Sequence, residues 1–138
     1  MMQFERFTER AKEAAIRAYE ILQKYQHSQV DVEHMLLAML EQPDGVAPAL
    51  LKDAGVDVPA LRDQVRALLE RRQRAPFPAA IASSTGQVFI TQRLKRIIDL
   101  AESEAQRLRD EYISTEHLLL AMSDERHTPL SEILLRNK

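Results

Sequence analysis

The chain has 138 residues, 45% apolar and 29% charged, a balance that fits one globular domain and excludes a disordered segment. Nineteen Lys and Arg stand against 21 Asp and Glu, a formal net charge of -2, so the domain as a whole carries no field suited to a nucleic-acid partner. There is no cysteine, which removes zinc ribbons, redox CxxC motifs and thiol nucleophiles. The three glycines, Gly45, Gly55 and Gly86, lack the spacing of a phosphate-cradling loop, so this chain alone is not expected to hydrolyse ATP. No apolar run reaches membrane-spanning length, and Met1 to Arg6 turns charged at once. The expectation is a soluble, cytoplasmic protein with no membrane partner.

Apolar residues recur at three- and four-residue steps, and alternating β-branched runs are nearly absent, so the elements are helices. Thr8 is placed to cap the first, with Ala11, Ala14, Ala15, Ala18 and Leu22 on one stripe and an end near Gln26-His27-Ser28. Asp31 caps a shorter helix, Val32 to Leu40, that is apolar on nearly every side and is therefore central. Pro43-Asp44-Gly45 ends it. A third helix runs from Val46 to Asp53 and stops at Gly55, and a fourth follows Asp57, with Pro59 in its first turn, to about Arg74. Arg71, Arg72 and Arg74 at its end read as a solvated last turn complementing the helix dipole rather than a phosphate patch. From Arg74 to Arg93 nothing is charged, and Pro76, Pro78, Ser83, Ser84, Thr85 and Gly86 mark residues 75–89 as a linker.

Displacing the sequence against itself by 83 residues aligns Phe7–Met39 with Ile90–Met122 without a gap. Identities include Thr8/Thr91, Arg10/Arg93, Lys12/Lys95, Ala18/Ala101 and Gln23/Gln106. Glu33-His34 falls on Glu116-His117, and Leu36-Leu37-Ala38-Met39 on Leu119-Leu120-Ala121-Met122. Shared helical periodicity matches apolar to apolar but does not match a Thr cap, an Arg and a Glu-His pair at one offset, so the chain is a duplication. Repeat 1 spans 7–74 and repeat 2 spans 90–138. In repeat 2 a third helix carries Leu130, Ile133 and Leu134, and the sequence stops before a counterpart of the fourth. Two repeats are too few for an open solenoid. The expected fold is therefore all-α: a duplicated four-helix repeat closed about a pseudo-two-fold axis, the second copy truncated, with Val32–Leu40 and Thr115–Ser123 near the centre.

Phe7-Thr8-Glu9-Arg10-Ala11, Asp31-Val32-Glu33-His34-Met35-Leu36-Leu37-Ala38-Met39-Leu40 and Tyr112-Ile113-Ser114-Thr115-Glu116-His117-Leu118-Leu119-Leu120-Ala121 together resemble the paired signature of the Clp amino-terminal domain. That double repeat precedes the ATPase modules of Clp unfoldases, and the resemblance covers essentially the whole chain. It implies a mobile receptor tethered to hexameric AAA+ modules, which captures unfolded or tagged clients, or adaptor proteins, before ATP-driven threading. Glu41 to Gly45, Gly86 to Ile90 and Asp110 to Tyr112 look closer to the disaggregase branch, ClpB. Met1-Met2 with Arg6 to Arg10 looks closer to the protease-linked branch, ClpC, where a Clp protease is a further partner.

The repeated Glu-His pairs admit two readings. Structurally, Glu33 and Glu116 serve free N–H groups of a first helical turn, while His34 and His117 pack at the repeat interface. HExxH is absent, since Ala38 and Ala121 hold the i+4 positions, so no metal site is expected. Functionally, a carboxylate pairs with a guanidinium, while a helix N-terminus and a hydroxyl suit a phosphate. By resemblance to the ClpC branch this suggests phosphoarginine sites, Glu33 with Thr8 and Glu116 with Thr91, each within its own repeat. A second candidate surface is apolar: Phe4, Phe7, Val88, Phe89 and Ile90 precede the two long helices, either as hydrophobic staples or as a groove for exposed apolar segments of clients. No Ser-His-Asp triad can be proposed from the sequence, since Ser28, Ser83 and Ser84 sit in turn-like or linker contexts without a nucleophile elbow.

The expected function is substrate or adaptor capture for an ATP-dependent Clp unfoldase, without catalytic residues or cofactors in this chain. ATP and Mg belong to the parent's modules. The alternative is a stand-alone adaptor or regulator built from the same domain.

Overall fold

The computed structural model describes residues 6–72 and 90–125. Within them six helices follow in order: α1 (Glu9–Tyr25), α2 (Val32–Leu40), α3 (Val46–Asp53), α4 (Val58–Arg71), α5 (Gln92–Arg107) and α6 (Thr115–Ser123). The linker assigned to 75–89 and the helix around Leu130, Ile133 and Leu134 lie outside the described residues.

Each helix boundary follows from local chemistry. Thr8 and Thr91 cap α1 and α5, their hydroxyls accepting the N–H of Ala11 and Leu94, which satisfies one of the orphan donors of each first turn. α1 ends where Gln26 turns left-handed at φ 57°, and Arg109 does the same after α5 at φ 62°. These two residues match at the repeat offset, so the duplication extends to backbone conformation. Gly55, at φ 89°, closes the turn after α3, where a side chain is strained. α4 starts at Val58 with Pro59 in its first turn and is capped by Asp57.

Reciprocal pairing joins the repeats. Phe7 bridges Ile113 and Val30 bridges Ile90, both in parallel sense; Thr8 N–H donates to the Ile113 carbonyl at 2.9 Å, and Thr91 N–H to the Val30 carbonyl at 3.0 Å. A contact in which residue i of one copy meets j of the other, and j meets i, marks an approximate two-fold axis. Around it α2 packs on α1, α3, α4, α5 and α6, and all nine of its residues are buried. Close approach of α1 to α2 relies on the alanine face of α1: Ala11, Ala14, Ala15 and Ala18 are essentially sealed from solvent. α6 packs on α5 and α3 and also reaches α1 and α2. It is buried on one side only, through Thr115, His117, Leu118, Ala121 and Met122.

Candidate functional site

The reciprocal axis crosses the predicted site pairs. Thr91 stands beside α2 of repeat 1, its hydroxyl donating to Asp31 at 2.7 Å, while Thr8 lines a cavity with Glu116 of repeat 2. The geometry therefore runs across the repeats, Thr8 beside Glu116 and Thr91 at the start of α2, where the expectation had paired Glu33 with Thr8 and Glu116 with Thr91 within each repeat. The sequence shows that two copies exist but not which strand-like segment of one meets which of the other.

Around Glu33 the place for a guanidinium is taken. Glu33 is 4% exposed. Arg93 Nη1 donates to both of its oxygens at 2.9 and 2.7 Å, and Arg72 Nη2 donates at 2.9 Å. The other edge of Arg93 forks onto Glu125 through Nε at 2.7 Å and Nη2 at 2.8 Å. Arg72 also meets Asp31 at 3.1 Å. Burial works against the Arg93 charge, but the hydrogen bonds and charges of Glu125 and Glu33 outweigh it and raise its pKa. Burial likewise opposes ionisation of Asp31, yet the Thr91 hydroxyl, the Val32 N–H and the charges of Arg93 and Arg72 hold its carboxyl below the usual range. Arg72 is thus a partner of two carboxylates rather than the solvated residue expected from the basic run. Of the described members of that run, Arg71, hydrogen-bonded to the Ala67 carbonyl, keeps the last-turn role.

The histidines do the capping expected of the glutamates. His34 Nδ1 accepts the Asp31 N–H at 2.8 Å, so its proton resides on Nε2, which faces His27 Nδ1 at 2.8 Å. In repeat 2 His117 Nδ1 accepts the Ser114 N–H at 2.9 Å, and Nε2 meets Asp110 at 3.0 Å. Burial first, then the charges of His27 and Arg72, lower the His34 pKa to about 3. With its first-turn donors served by a histidine, Glu33 is free to form ion pairs.

Glu116 differs from its counterpart. It is exposed, and among the described residues its carboxylate has no hydrogen bond or ion pair. Arg10, the counterpart of Arg93, turns away to Glu13 at 3.0 Å and the Pro43 carbonyl at 2.7 Å. Gln42 replaces Glu125 at the matched position, so no second carboxylate draws Arg10 in; Gln42 instead donates to the Arg10 carbonyl at 2.8 Å. What remains is an open cavity of about 350 Å³ lined by Thr8, Leu108, Asp110, Glu111, Tyr112, Ser114, Glu116, His117 and Leu120. Leu108, Tyr112 and Leu120 are each about half exposed, at 50%, 53% and 50%, which gives the acidic cavity an apolar wall. None of these three was singled out from sequence, where Leu120 is indistinguishable from its buried counterpart Leu37.

The apolar groove fares differently. Phe7 is 2% exposed and belongs to the core, because its backbone is pinned against Ile113; it cannot wall an open groove. Ile90 is half-buried against the same core. Phe4, Val88 and Phe89 lie outside the described residues. A further cavity of about 520 Å³, lined by residues that include Gln42, Pro48, Lys52, Val56 and Pro59, contains none of the predicted site residues. Among the described residues no group of three or more His, Asp or Glu could hold a metal ion, and no helix is long and apolar enough to cross a membrane.

The model of the Clp repeat (R) N-terminal domain family matches residues 6–137. The chain belongs to the Clp N-terminal domain family. Among curated relatives, the chaperone protein ClpB of Bacillus cereus (strain ATCC 14579) is 33% identical to this Clp N-domain over 125 residues, 91% of the chain and 14% of that protein. Chaperone protein ClpB 2 of Nostoc sp. is 36% identical over 115 residues, 83% of the chain and 12% of the relative. The domain thus spans about one-seventh of the length of such relatives, and the matched family is the N-domain rather than an ATPase module. Among solved structures, the Hsp104 N-terminal domain from Candida albicans superposes with a TM-score of 0.80 at 20% identity, covering 96% of this chain and 82% of that one. The N-terminal domain of the ClpV1 ATPase from E. coli gives 0.77 at 23% identity, covering 94% and 77%. These likenesses establish the all-α repeat fold.

Proposed function

We propose that this domain is the client- or adaptor-capture module of an ATP-driven Clp unfoldase, and that capture occurs at the Glu116–Thr8 cavity. Unfolding itself is performed by hexameric ATPase modules outside this chain, which bind ATP and Mg. The observation that carries the reading is the contrast between the copies: the Glu33 carboxylate already holds two arginines of the chain, whereas Glu116, in the matched position, opens onto solvent beside half-exposed leucines and a tyrosine. Likeness to ClpB proteins favours the disaggregase branch over the protease-linked one.

Within this reading Glu116 receives a basic group of the client. A phosphorylated arginine would place its guanidinium on Glu116 and its phosphate at Thr8 and the start of α1. Glu33 and Thr91 form no second open site, being engaged with Arg93, Arg72 and Asp31. Calorimetric titration with free phosphoarginine and, separately, with a permanently unfolded polypeptide tests the proposal. Saturable binding of either ligand, abolished by Glu116→Ala and retained in Thr91→Val, is expected. Silence with both ligands contradicts capture at this cavity.

A further inference from the structure

The second cavity, of about 520 Å³, lies on repeat 1 and shares no lining residue with the Glu116–Thr8 cavity. Its volume is that of a small-ligand site. The apolar lining comes from Pro48 of α3, buried Val56 in the turn after it, and half-buried Val58 at the start of α4. Two charges line it from the two ends of α3: Asp44 precedes the helix, and Lys52 stands in its last turn. Among the described residues neither side chain has a hydrogen bond or ion pair, so two opposite charges share one cavity without meeting. The third charged residue there, Asp57, is committed to the α4 cap, accepting the Ala60 N–H at 3.2 Å. Backbone packing fixes the acidic end. Asp44 is left-handed at φ 54°, and a Cβ on the next residue, Gly45, would stand 3.0 Å from Gln42 Cβ and 3.3 Å from Pro48 Cδ, so the turn that presents the carboxylate is set before any ligand arrives.

We propose that this cavity binds a free apolar dipeptide, with its ammonium on Asp44, its carboxylate on Lys52 and its side chains against Pro48, Val56 and Val58. Charge selects a zwitterion, because a neutral or singly charged ligand leaves one of the two unpaired groups unanswered. Length selects two residues. Roughly eight steps of 1.5 Å hold the Asp44 and Lys52 backbones about 12 Å apart. A single amino acid, about 3.5 Å long, is short for that gap, whereas a dipeptide of about 7 Å leaves room for one hydrogen bond at each end. This site is independent of the capture cavity, and either can fail without the other.

The test is calorimetric titration of the intact chain with Leu-Leu and with its three blocked forms, N-acetyl-Leu-Leu, Leu-Leu amide and N-acetyl-Leu-Leu amide, with amide NMR locating the site. One-to-one binding of Leu-Leu is expected, with Kd on the order of a millimolar or below. Amide shifts should centre on Asp44, Gly45, Lys52 and Val56, and each block should weaken binding about fivefold or more. Asp44→Asn, which tolerates the left-handed backbone, should weaken Leu-Leu and leave N-acetyl-Leu-Leu unchanged; Lys52→Met should weaken Leu-Leu and leave Leu-Leu amide unchanged. Both residues are exposed, so neither variant disturbs the core, as circular dichroism checks. No saturation about tenfold above the expected Kd, equal affinity for all four probes, or shifts centred elsewhere overturns the inference. Loss of Leu-Leu binding in Glu116→Ala also overturns it, since the dipeptide then belongs to the capture cavity.

Discussion

Replacing Arg93 with Met removes the guanidinium that ties repeat 2 to repeat 1 while keeping most of the side chain's apolar length. Two carboxylates each lose a guanidinium contact: Glu125 loses a two-pronged fork at 2.7 and 2.8 Å, and Glu33 loses the Nη1 donor that reaches its two oxygens at 2.9 and 2.7 Å. The side chains of Arg93, Glu33 and Glu125 are 20%, 5% and 12% exposed, close to the regime in which breaking a buried pair costs about 3–5 kcal/mol. Arg72 remains on Glu33 and offsets part of the loss, so the expected destabilisation is about 2–3 kcal/mol. For a domain of this size that lowers Tm by roughly 7–12 °C. The control is built into the duplication. Arg10, the counterpart of Arg93, is 43% exposed and pairs with an exposed Glu13, so Arg10→Met should cost under about 1 kcal/mol. Thermal and urea unfolding by circular dichroism measure both. A loss below about 0.5 kcal/mol for Arg93→Met, or equal losses for the two variants, refutes the assignment of the Glu33 cluster as an occupied, structural copy of the site.

Three further outcomes follow from the same geometry. The His34 pKa lies near 3 when folded against about 6.5 unfolded, so the neutral imidazole's contribution is complete above pH 6.5 and declines as pH falls, by about 2 kcal/mol at pH 5. His34→Asn, which preserves an acceptor for the Asp31 N–H, should flatten the urea-midpoint profile between pH 7 and 5 by that amount. Asp31 does not confuse this window, because its depressed pKa means its stabilisation is lost only as pH falls into the acid range below the ordinary carboxylate value. Thr91→Val removes both the α5 cap and the hydroxyl donor to Asp31, and should cost about 2 kcal/mol in denaturant unfolding. Gly55→Ala places a Cβ in open space at φ +89°, so its cost is backbone strain alone, about 1 kcal/mol by the same assay.

Much of the fold was legible because its determinants are local. The Thr8 cap, the Gln26 stop, Gly55, Pro59 and the Val32–Leu40 and Thr115–Ser123 helices all rest on residues within a turn of the feature they set, and the 83-residue offset disclosed the symmetry. The site was legible only in part, because its geometry is non-local. Glu33 and Glu116 are the same residue in the same motif, and only the partners brought in by folding separate them: Arg72 from the end of α4, Glu125 after α6 opposed to Gln42 after α2, and Thr91 across the axis. The crossing of the two copies could have been suspected from Phe7/Ile90 and Val30/Ile113, matched β-favouring residues flanking the capped helices. Exposure of Leu120 against burial of Leu37 has no signal in the two residues themselves, which occupy the same place in the same Leu-Leu-Ala-Met motif.

The most direct measurement of the central claim is an amide NMR titration of the isotope-labelled chain with free phosphoarginine, and in parallel with an unfolded polypeptide. At least one ligand should shift the resonances of Thr8, Tyr112, Glu116 and Leu120 at one-to-one stoichiometry, leave Asp31, Glu33 and Thr91 in place, and lose all effect in Glu116→Ala. Two equivalent sites, shifts centred on Glu33 and Thr91, or no shifts with either ligand would contradict the account of one copy closed by the chain's own arginines and the other open for capture.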